Sequence, residues 1–155
     1  MKLGTRGRYA VAAMVDLACH GGGKPVSLAD IAERQEISLC YLEQLFARLR
    51  RNGLVRSVRG PGGGYVLALD AAQTRIADIL TGVGEPLDAV RCSGGAATGC
   101  RPGRSRCLTH DLWQELSHQI QLYLNSVSLA DVCDKRVLGT SGLPQREAYR
   151  AAGAQ

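Results

Sequence analysis

The chain has 155 residues, a length that suits one small domain with a dimerising extension, and its net charge is +5. No apolar run reaches the roughly 18 residues that a membrane-spanning helix needs, so we expect no membrane association. Asp16 interrupts the apolar run near the N-terminus, which favours a buried first helix over a secretory signal. We therefore expect the six cysteines to lie in a reducing cytoplasm, where thiols bind metal, react or fill a core.

The first half of the chain has the pattern of a helix-turn-helix. Tyr9–Ala18 predicts an apolar helix that ends at the glycines 21–23. Ser27 and Ser38 each stand where a helix N-cap is expected, with a short bend between the two helices. In the second helix, residues at helical spacing should pack inward, namely Leu42, Leu45, Phe46 and Leu49. The opposite face should point outward and carries Cys40, Tyr41, Glu43, Gln44, Ala47, Arg48 and Arg51.

The next segment predicts a basic β-hairpin. Leu54–Val58 and Tyr65–Leu69 have strand composition, and the glycine-rich segment 59–64 joins them as a wing. That segment lacks the lysine and the serine or threonine of a nucleotide-binding loop. Between Gln44 and Leu69 there is no acidic residue, whereas the segment holds Arg48, Arg50, Arg51, Arg56 and Arg59. This charge favours a polyanionic partner, the alternative being a solvated basic face.

The second half of the chain predicts helices around a glycine-rich loop. Thr74–Val83 has helical periodicity, a long helix begins near Thr109, and a short one is expected near Leu129–Val132. One face of the long helix is apolar enough to predict pairing with its twin in a homodimer. The fold class is thus mainly α with a small β-hairpin. We expect a winged helix-turn-helix domain at 1–85, a loop at 86–108, a dimerisation helix region at 109–137 and a flexible tail at 138–155.

Four candidate metal ligands lie within nineteen residues of this loop: Cys92, Cys100, Cys107 and His110. The intervals are wider than the paired Cys-x-x-Cys spacing of structural zinc, although zinc stays possible. Three thiolates and one imidazole also suit a 2Fe-2S cluster, which would order a loop with little to bury. From the residues alone, a cluster, zinc and a loop of unliganded thiols all remain open. We interpret Cys19 and Cys133 as fillers of a core or an interface.

Six runs of sequence carry a family resemblance, and together they span about residues 1–136: Gly7–Val11, Leu28–Ile31, Ser38–Leu39 with Tyr41–Phe46, Asn52–Val55, Ser57–Tyr65, and Cys107–His110 followed by Leu112–Trp113. They resemble the IscR-type iron–sulfur transcription regulators of bacteria. The resemblance implies a winged-helix homodimer crossed by long C-terminal helices, with one 2Fe-2S cluster per subunit. Its implied ligands are Cys92, Cys100, Cys107 and His110, loaded by the cluster-assembly machinery. Two departures stand out: the cysteine intervals are longer than in the relatives, and Cys40 stands where serine is usual.

The function implied is a non-enzymatic DNA-binding regulator, mainly a repressor, that controls cluster-assembly genes. Tyr41 and Gln44 are expected to reach base edges or phosphates in the major groove, and Arg59 to enter the minor groove. In the family, the glutamate that matches Glu43 discriminates between classes of operator. The predicted DNA-binding residues are Ser38, Cys40, Tyr41, Glu43, Gln44, Arg48, Arg51, Arg59 and Gly60, of which Arg48 and Arg51 suit phosphates.

Other functions stay open at this stage. Within the same fold, a nitric-oxide- or iron-responsive regulator and a zinc-bound repressor are the alternatives. An iron–sulfur electron carrier would use the same ligands, but it would leave the arginines of the wing region without a purpose. A thiol enzyme built on Cys107 and His110 is disfavoured because no third orienting group or oxyanion donor can be placed.

Overall fold

The computed structural model describes residues 3–87 and 106–137. Within these ranges, six helices and one hairpin follow in the order α1 (Thr5–Gly21), α2 (Leu28–Gln35), α3 (Leu39–Arg51), β1 (Val55–Val58), β2 (Gly64–Leu67), α4 (Ile76–Gly82), α5 (His110–Ser126) and α6 (Leu129–Cys133). The predicted tail at 138–155 and most of the predicted loop at 86–108 lie outside the described residues.

Helix α1 is the centre of the core. Its inner face is fully buried and carries Ala10, Ala13, Met14 and Leu17. The helix begins at Thr5, before the predicted start, because Gly7 lets its first turn approach the rest of the domain. A Cβ on Gly7 would lie 2.9 Å from side-chain carbons of both Leu80 and Glu85. The predicted glycine stop is confirmed, since Gly22 caps the helix in the left-handed conformation with φ of 50°.

Helices α2 and α3 form the helix-turn-helix at the predicted place. The inward stripe of α3 is confirmed, with at most 2% exposure at each of Leu42, Leu45, Phe46 and Leu49. Burying each of these side chains stabilises the fold by about 1.5–3 kcal/mol. Ser27 caps α2 as predicted, because its Oγ accepts from the Asp30 N–H at 3.1 Å. Ser38 is the N-cap of α3, but the predicted side-chain cap is wrong: Ser38 is exposed, so water can reach the first-turn amides instead.

The two strands pair antiparallel and form the wing on the side of α3. Val55 lies opposite Leu67, and Val58 lies opposite Gly64. Each strand is one residue shorter than predicted: β1 begins one residue later, and β2 begins one residue earlier but ends two residues earlier. The wing is also joined to the segment before α2, because Val26 and Tyr65 exchange backbone hydrogen bonds of 3.0 and 2.8 Å. A Cβ on Gly64 would overlap the carbonyl oxygen of Val26, so this approach requires glycine.

The C-terminal helices return to the winged-helix domain. Helix α5 packs against α4, and α6 packs against α1. Backbone bonds fix the return: the Ile76 N–H donates to the Val127 carbonyl at 3.0 Å, and the Leu129 N–H to the Thr74 carbonyl at 3.0 Å. Leu129 is fully buried in the common core. The short helix α6 therefore belongs to the same packed unit as α1.

Candidate nucleic-acid interface and cysteine loop

A buried ion pair sets the position of α2 on α1. The Asp16 carboxylate has no exposed side-chain surface and accepts from the Arg34 guanidinium at 2.6 Å and from the Gln35 amide at 2.7 Å. Burial alone would raise the pKa of Asp16, but the hydrogen bonds from Arg34 and Gln35 and the charge of Arg34 outweigh it, so that pKa is lowered. This pair was not predicted from the sequence, although an aspartate inside an apolar helix was a usable signal.

The bend between α2 and α3 depends on one backbone conformation. Glu36 adopts the left-handed region, with φ of 53° and ψ of 41°, and its N–H donates to the Ala32 carbonyl. Non-glycine residues rarely adopt this conformation, yet it lets the chain reverse within a few residues. Because of this bend, α3 runs in a different direction from α2, and its polar face is exposed.

The outward face of α3 is largely as predicted. Cys40, Glu43, Gln44 and Arg51 are all exposed, and the Gln44 amide lies 4.0 Å from the Cys40 sulfur. Tyr41 differs from the prediction because it is half-buried. Its ring meets that of Tyr9 edge-on, with centroids 6.1 Å apart and planes at 81°. Tyr41 therefore fixes α3 against α1 as well as bordering the exposed face.

The wing is held to the core through aromatic packing and presents a basic surface. The rings of Phe46 from α3 and Tyr65 from β2 lie 4.9 Å apart in an edge-on arrangement. Arg59 and Gly60 lie at the exposed tip, where Gly60 has φ of 108°. The arginines of this region are all exposed, and none forms an ion pair within the described residues: Arg48, Arg50, Arg51, Arg56 and Arg59. Such a surface attracts phosphates.

The C-terminal end of α3 is hydrogen bonded to the last residue of α4 and lies beside the residue that follows it. The Asn52 amide donates to the Gly82 carbonyl at 2.9 Å, and the Arg48 guanidinium lies 3.5 Å from the Val83 carbonyl oxygen. Two residues later, the buried Glu85 carboxylate accepts from the Gly4 N–H at 2.6 Å and lies 3.6 Å from Arg6. The backbone that enters the predicted cysteine loop is thus fixed to both α3 and the start of α1. These contacts were not predicted from the sequence.

The structure places two of the four predicted metal ligands at the start of α5. Cys107 is half-buried, and His110 is 6% exposed and is the first residue of the helix. The His110 N–H donates to the Cys107 carbonyl at 3.1 Å, so the two residues share one turn of chain. Cys92 and Cys100 lie outside the described residues. Among residues 3–87 and 106–137, no three histidine, cysteine or acidic side chains gather in a metal-binding group.

Helix α5 is only partly covered by its own chain. Trp113, Ile120 and Leu124 are half-buried. A second edge of the helix leaves three large apolar side chains 41–61% exposed: Leu112, Leu116 and Tyr123. Across residues 3–87 and 106–137, none of the helices combines the length and hydropathy that a membrane crossing demands.

Comparison with known proteins gives consistent matches. The model of the Rrf2 family, described as an iron-dependent transcriptional regulator, matches residues 3–135. The putative HTH-type transcriptional regulator ORF2 of Azotobacter vinelandii is 59% identical over 132 residues, which cover 85% of this chain and 79% of that protein. The HTH-type transcriptional regulator IscR of Cronobacter sakazakii is 51% identical over 156 residues, covering 100% and 94%. The solved structure of T. potens IscR has a TM-score of 0.70 at 39% identity and covers 88% of each chain. The predicted winged-helix fold is confirmed.

Proposed function

This chain belongs to the Rrf2 family of transcriptional regulators, and we propose from that premise that it is a cytoplasmic homodimer, mainly a repressor, whose operator affinity depends on a 2Fe-2S cluster. Its targets would be genes of iron–sulfur cluster assembly. The observation that carries the proposal is the placement of α3. Its polar face is exposed and basic at one end, while that same end is bonded to the backbone that enters the cysteine loop.

The DNA contacts follow from exposure and chemistry. Gln44 can form two hydrogen bonds with adenine in the major groove, and a good pair of this kind discriminates by about 1–3 kcal/mol. Glu43 suits the amino group of cytosine and repels phosphates, so it would restrict which operators are accepted. Arg51 would hold a phosphate, and Arg59 with Gly60 at the wing tip suits a narrow minor groove. Ser38, Cys40, Tyr41 and Arg48 complete the proposed surface.

The donor set fits a cluster. Cys107 and His110 supply a thiolate and an imidazole from one turn of chain, and Cys92 and Cys100 would supply the other two ligands. When bound, a 2Fe-2S cluster supplies an inorganic centre whose presence depends on iron and on oxidants. His110 is nearly buried at the start of α5, which limits the access of water to its ring. The dimer would use the exposed apolar edge of α5, since a second copy of that edge covers it symmetrically.

The chain itself offers a path from the loop to the reading helix. Glu85 anchors the loop entrance to the N-terminus of α1, and Asn52 anchors the preceding residues to α3. Any change in the loop that pulls on this segment acts on both anchors. Loop occupancy alters DNA affinity only to the extent that these contacts differ between the two states. We expect Glu85→Gln to reduce the difference in affinity between the iron-loaded and the iron-free protein, because a neutral amide holds Arg6 less strongly.

The deciding experiment combines metal analysis with DNA titration. The full-length protein is prepared without oxygen, its iron, zinc and acid-labile sulfide are measured, and its visible spectrum is recorded. Affinity is then titrated on duplexes that the protein itself selects from a random pool. We expect two irons and two sulfides per subunit and a change in affinity of at least tenfold on iron removal. Cys107→Ala and His110→Ala should lose iron and that change, whereas Cys19→Ser, a matched cysteine control outside the loop, should retain both.

The same experiment separates the other functions. Stoichiometric zinc without sulfide would establish a zinc-bound repressor. Iron and sulfide without salt-dependent DNA binding would favour an electron carrier, because the wing arginines predict release of counterions from DNA. Iron binding with unchanged DNA affinity in Cys107→Ala would overturn cluster control. An affinity that changes with nitric oxide but not with iron supply would indicate a nitric-oxide sensor of the same fold.

A further inference from the structure

Two cysteines that the proposed cluster does not use lie in contact. Cys19 is near the end of α1, and Cys133 is the last residue of α6, 114 positions later. Their sulfur atoms are 2.7 Å apart. A disulfide requires about 2.05 Å, so closing the bond shortens this distance by roughly 0.7 Å. Cys19 is exposed, so of the two predicted roles, filler of a core or of an interface, the structure contradicts the core role for this residue; Cys133 is half-buried.

The surroundings of the pair favour a bond between the sulfurs over a shared metal ion. His20 adjoins Cys19, but its Nδ1 lies 2.9 Å from the Asp16 carbonyl oxygen and 3.5 Å from the Asp16 carboxylate. No metal-binding group of three or more candidate ligands exists in the described ranges 3–87 and 106–137. The reaction open to these two thiols is therefore a bond between their own sulfur atoms.

Both ends of the pair stand on firmly packed backbone. Helix α6 is fixed by Leu129 in the core and by its capping box, in which the Ser128 Oγ accepts from the Asp131 N–H at 3.2 Å and Asp131 accepts from the Ser128 N–H at 2.9 Å. Helix α1 is the buried centre of the domain. Because both helices are already in place, the bond requires no rearrangement of the fold.

We propose that Cys19 and Cys133 are a redox modification site, at which a low-molecular-weight disulfide oxidises the pair to an intramolecular disulfide that ties α6 to α1. The exposed Cys19 thiolate attacks the small disulfide and releases one of its thiols. The Cys133 sulfur then attacks the mixed disulfide on Cys19, and the second small thiol leaves with the Cys133 proton. The protein loses two electrons and two protons, and the small disulfide becomes two thiols.

The order of attack follows from exposure. An oxidant reaches Cys19 directly, whereas Cys133 lies between α6 and α1, with its Sγ 3.8 Å from the Val15 carbonyl oxygen. Burial and the hydrogen bond from Cys19 raise the pKa of the Cys133 thiol to about 12. Cys133 is therefore a poor first nucleophile and a well-placed second one.

The consequence is a covalent ring that encloses the helix-turn-helix and the wing. The ring runs from residue 19 to residue 133 and contains α2 to α5, so oxidation should raise the thermal midpoint of the full-length protein by on the order of 10 °C. The disulfide keeps α6 packed against α1 under heat or denaturant that would otherwise separate the two helices. The bond uses neither the loop ligands nor α3, so it acts independently of the proposed cluster.

Peptide mapping tests the bond directly. The full-length protein, prepared without oxygen, is incubated with oxidised glutathione, alkylated and digested. Trypsin alone leaves Cys107 and Cys133 together in residues 107–135, so Glu-C is added to cut after Glu115. We expect a cross-linked peptide of Cys19 and Cys133 that dithiothreitol removes. Cys133→Ser should leave glutathione on Cys19, and Cys40→Ser, a control on α3, should cross-link as the native chain does.

Two outcomes would overturn the proposal: glutathione or alkyl groups on both cysteines with no cross-link, or a cross-link that forms no faster in the folded protein than in denaturant. The thermal midpoint is measured on the same samples. A rise in the oxidised native chain that is absent from Cys19→Ser supports the tether, and equal midpoints contradict it. Cys19→Ser, at an exposed position, keeps the test decisive if Cys133→Ser does not fold.

Discussion

Loss of the Asp16 carboxylate should destabilise the whole winged-helix domain. The Asp16 side chain is fully buried. Its carboxylate accepts hydrogen bonds from Arg34 Nη2 at 2.6 Å, from Arg34 Nε at 3.1 Å and from Gln35 Nε2 at 2.7 Å. Removing one partner of a buried pair costs about 3–5 kcal/mol. The Arg34 side chain is 36% exposed and regains water when its partner is lost. We therefore expect about 3 kcal/mol for Asp16→Ala, the lower end of that range, and a thermal midpoint lower by about 6–12 °C.

The stabilisation that the Asp16–Arg34 pair provides should depend on pH. Because the pKa of Asp16 is lowered in the folded protein, the pair stabilises the fold above the ordinary carboxyl pKa, and that contribution is lost as the pH falls through the lowered value. Acidification from about pH 5 should thus cost the native chain more stability than Asp16→Asn. Arg34→Ala should behave oppositely. With Arg34 gone, burial dominates, the pKa of Asp16 rises, and this variant regains stability relative to the native chain as the carboxyl protonates.

Urea unfolding followed by circular dichroism at several pH values measures these differences. Glu33→Gln on the exposed face of α2 is the matched control, since it also removes one carboxylate. An Asp16→Ala protein that is no less stable than Glu33→Gln at pH 7 would contradict the predicted role of the ion pair. Equal losses of stability on acidification in the native chain and in Asp16→Asn would contradict it as well.

Three further predictions concern the turn, the wing and the phosphate contacts. Glu36→Gly should stabilise the fold by about 1 kcal/mol in urea titrations, because glycine relieves the left-handed strain; a loss of stability would contradict this. Gly64→Ala should lower the free energy of unfolding by about 2 kcal/mol more than Gly53→Ala, since only the former meets the Val26 backbone, and equal losses would show that strain alone matters. Arg51→Ala should reduce the slope of log affinity against log salt concentration by about one. Lys135→Ala, which removes a positive charge just after α6 and outside the proposed DNA-binding surface, should leave that slope unchanged.

Local periodicity was enough to predict much of the fold. The stripe from Leu42 to Leu49 placed α3 correctly because its burial repeats every turn. The glycines at 60–64 located the wing, because they mark the turn between two short strands. The predicted start of α1 was less accurate, because the first turn of this helix packs through Gly7, and a glycine adds no apolar residue to the periodic pattern.

The contacts that organise the candidate site were not predictable in this way. Glu85 meets Gly4 across 81 positions, and Cys19 meets Cys133 across 114. Neither pair repeats, so no pattern in the chain marks it. Asp16 and Arg34 are closer, but a buried ion pair resembles two ordinary surface charges until the packing is known. Partial burial of Tyr41 was missed for the same reason, since its partner Tyr9 lies on another helix.

The two sets of cysteines differ in what a chemical change can do to the fold. Cys107 stands beside the loop, and the other end of that loop is held by Glu85 to α1 and, just upstream, by Asn52 to α3. A change there can move the reading helix. Cys19 and Cys133 join helices that are already packed, so a bond between them limits opening and leaves the docked arrangement unchanged. Oxidation of the pair should therefore raise resistance to unfolding without altering operator preference, whereas loss of iron should alter DNA affinity. Measuring both properties in the native chain and in Cys19→Ser after the same oxidation separates the two effects, because only the gain in stability should be absent from Cys19→Ser.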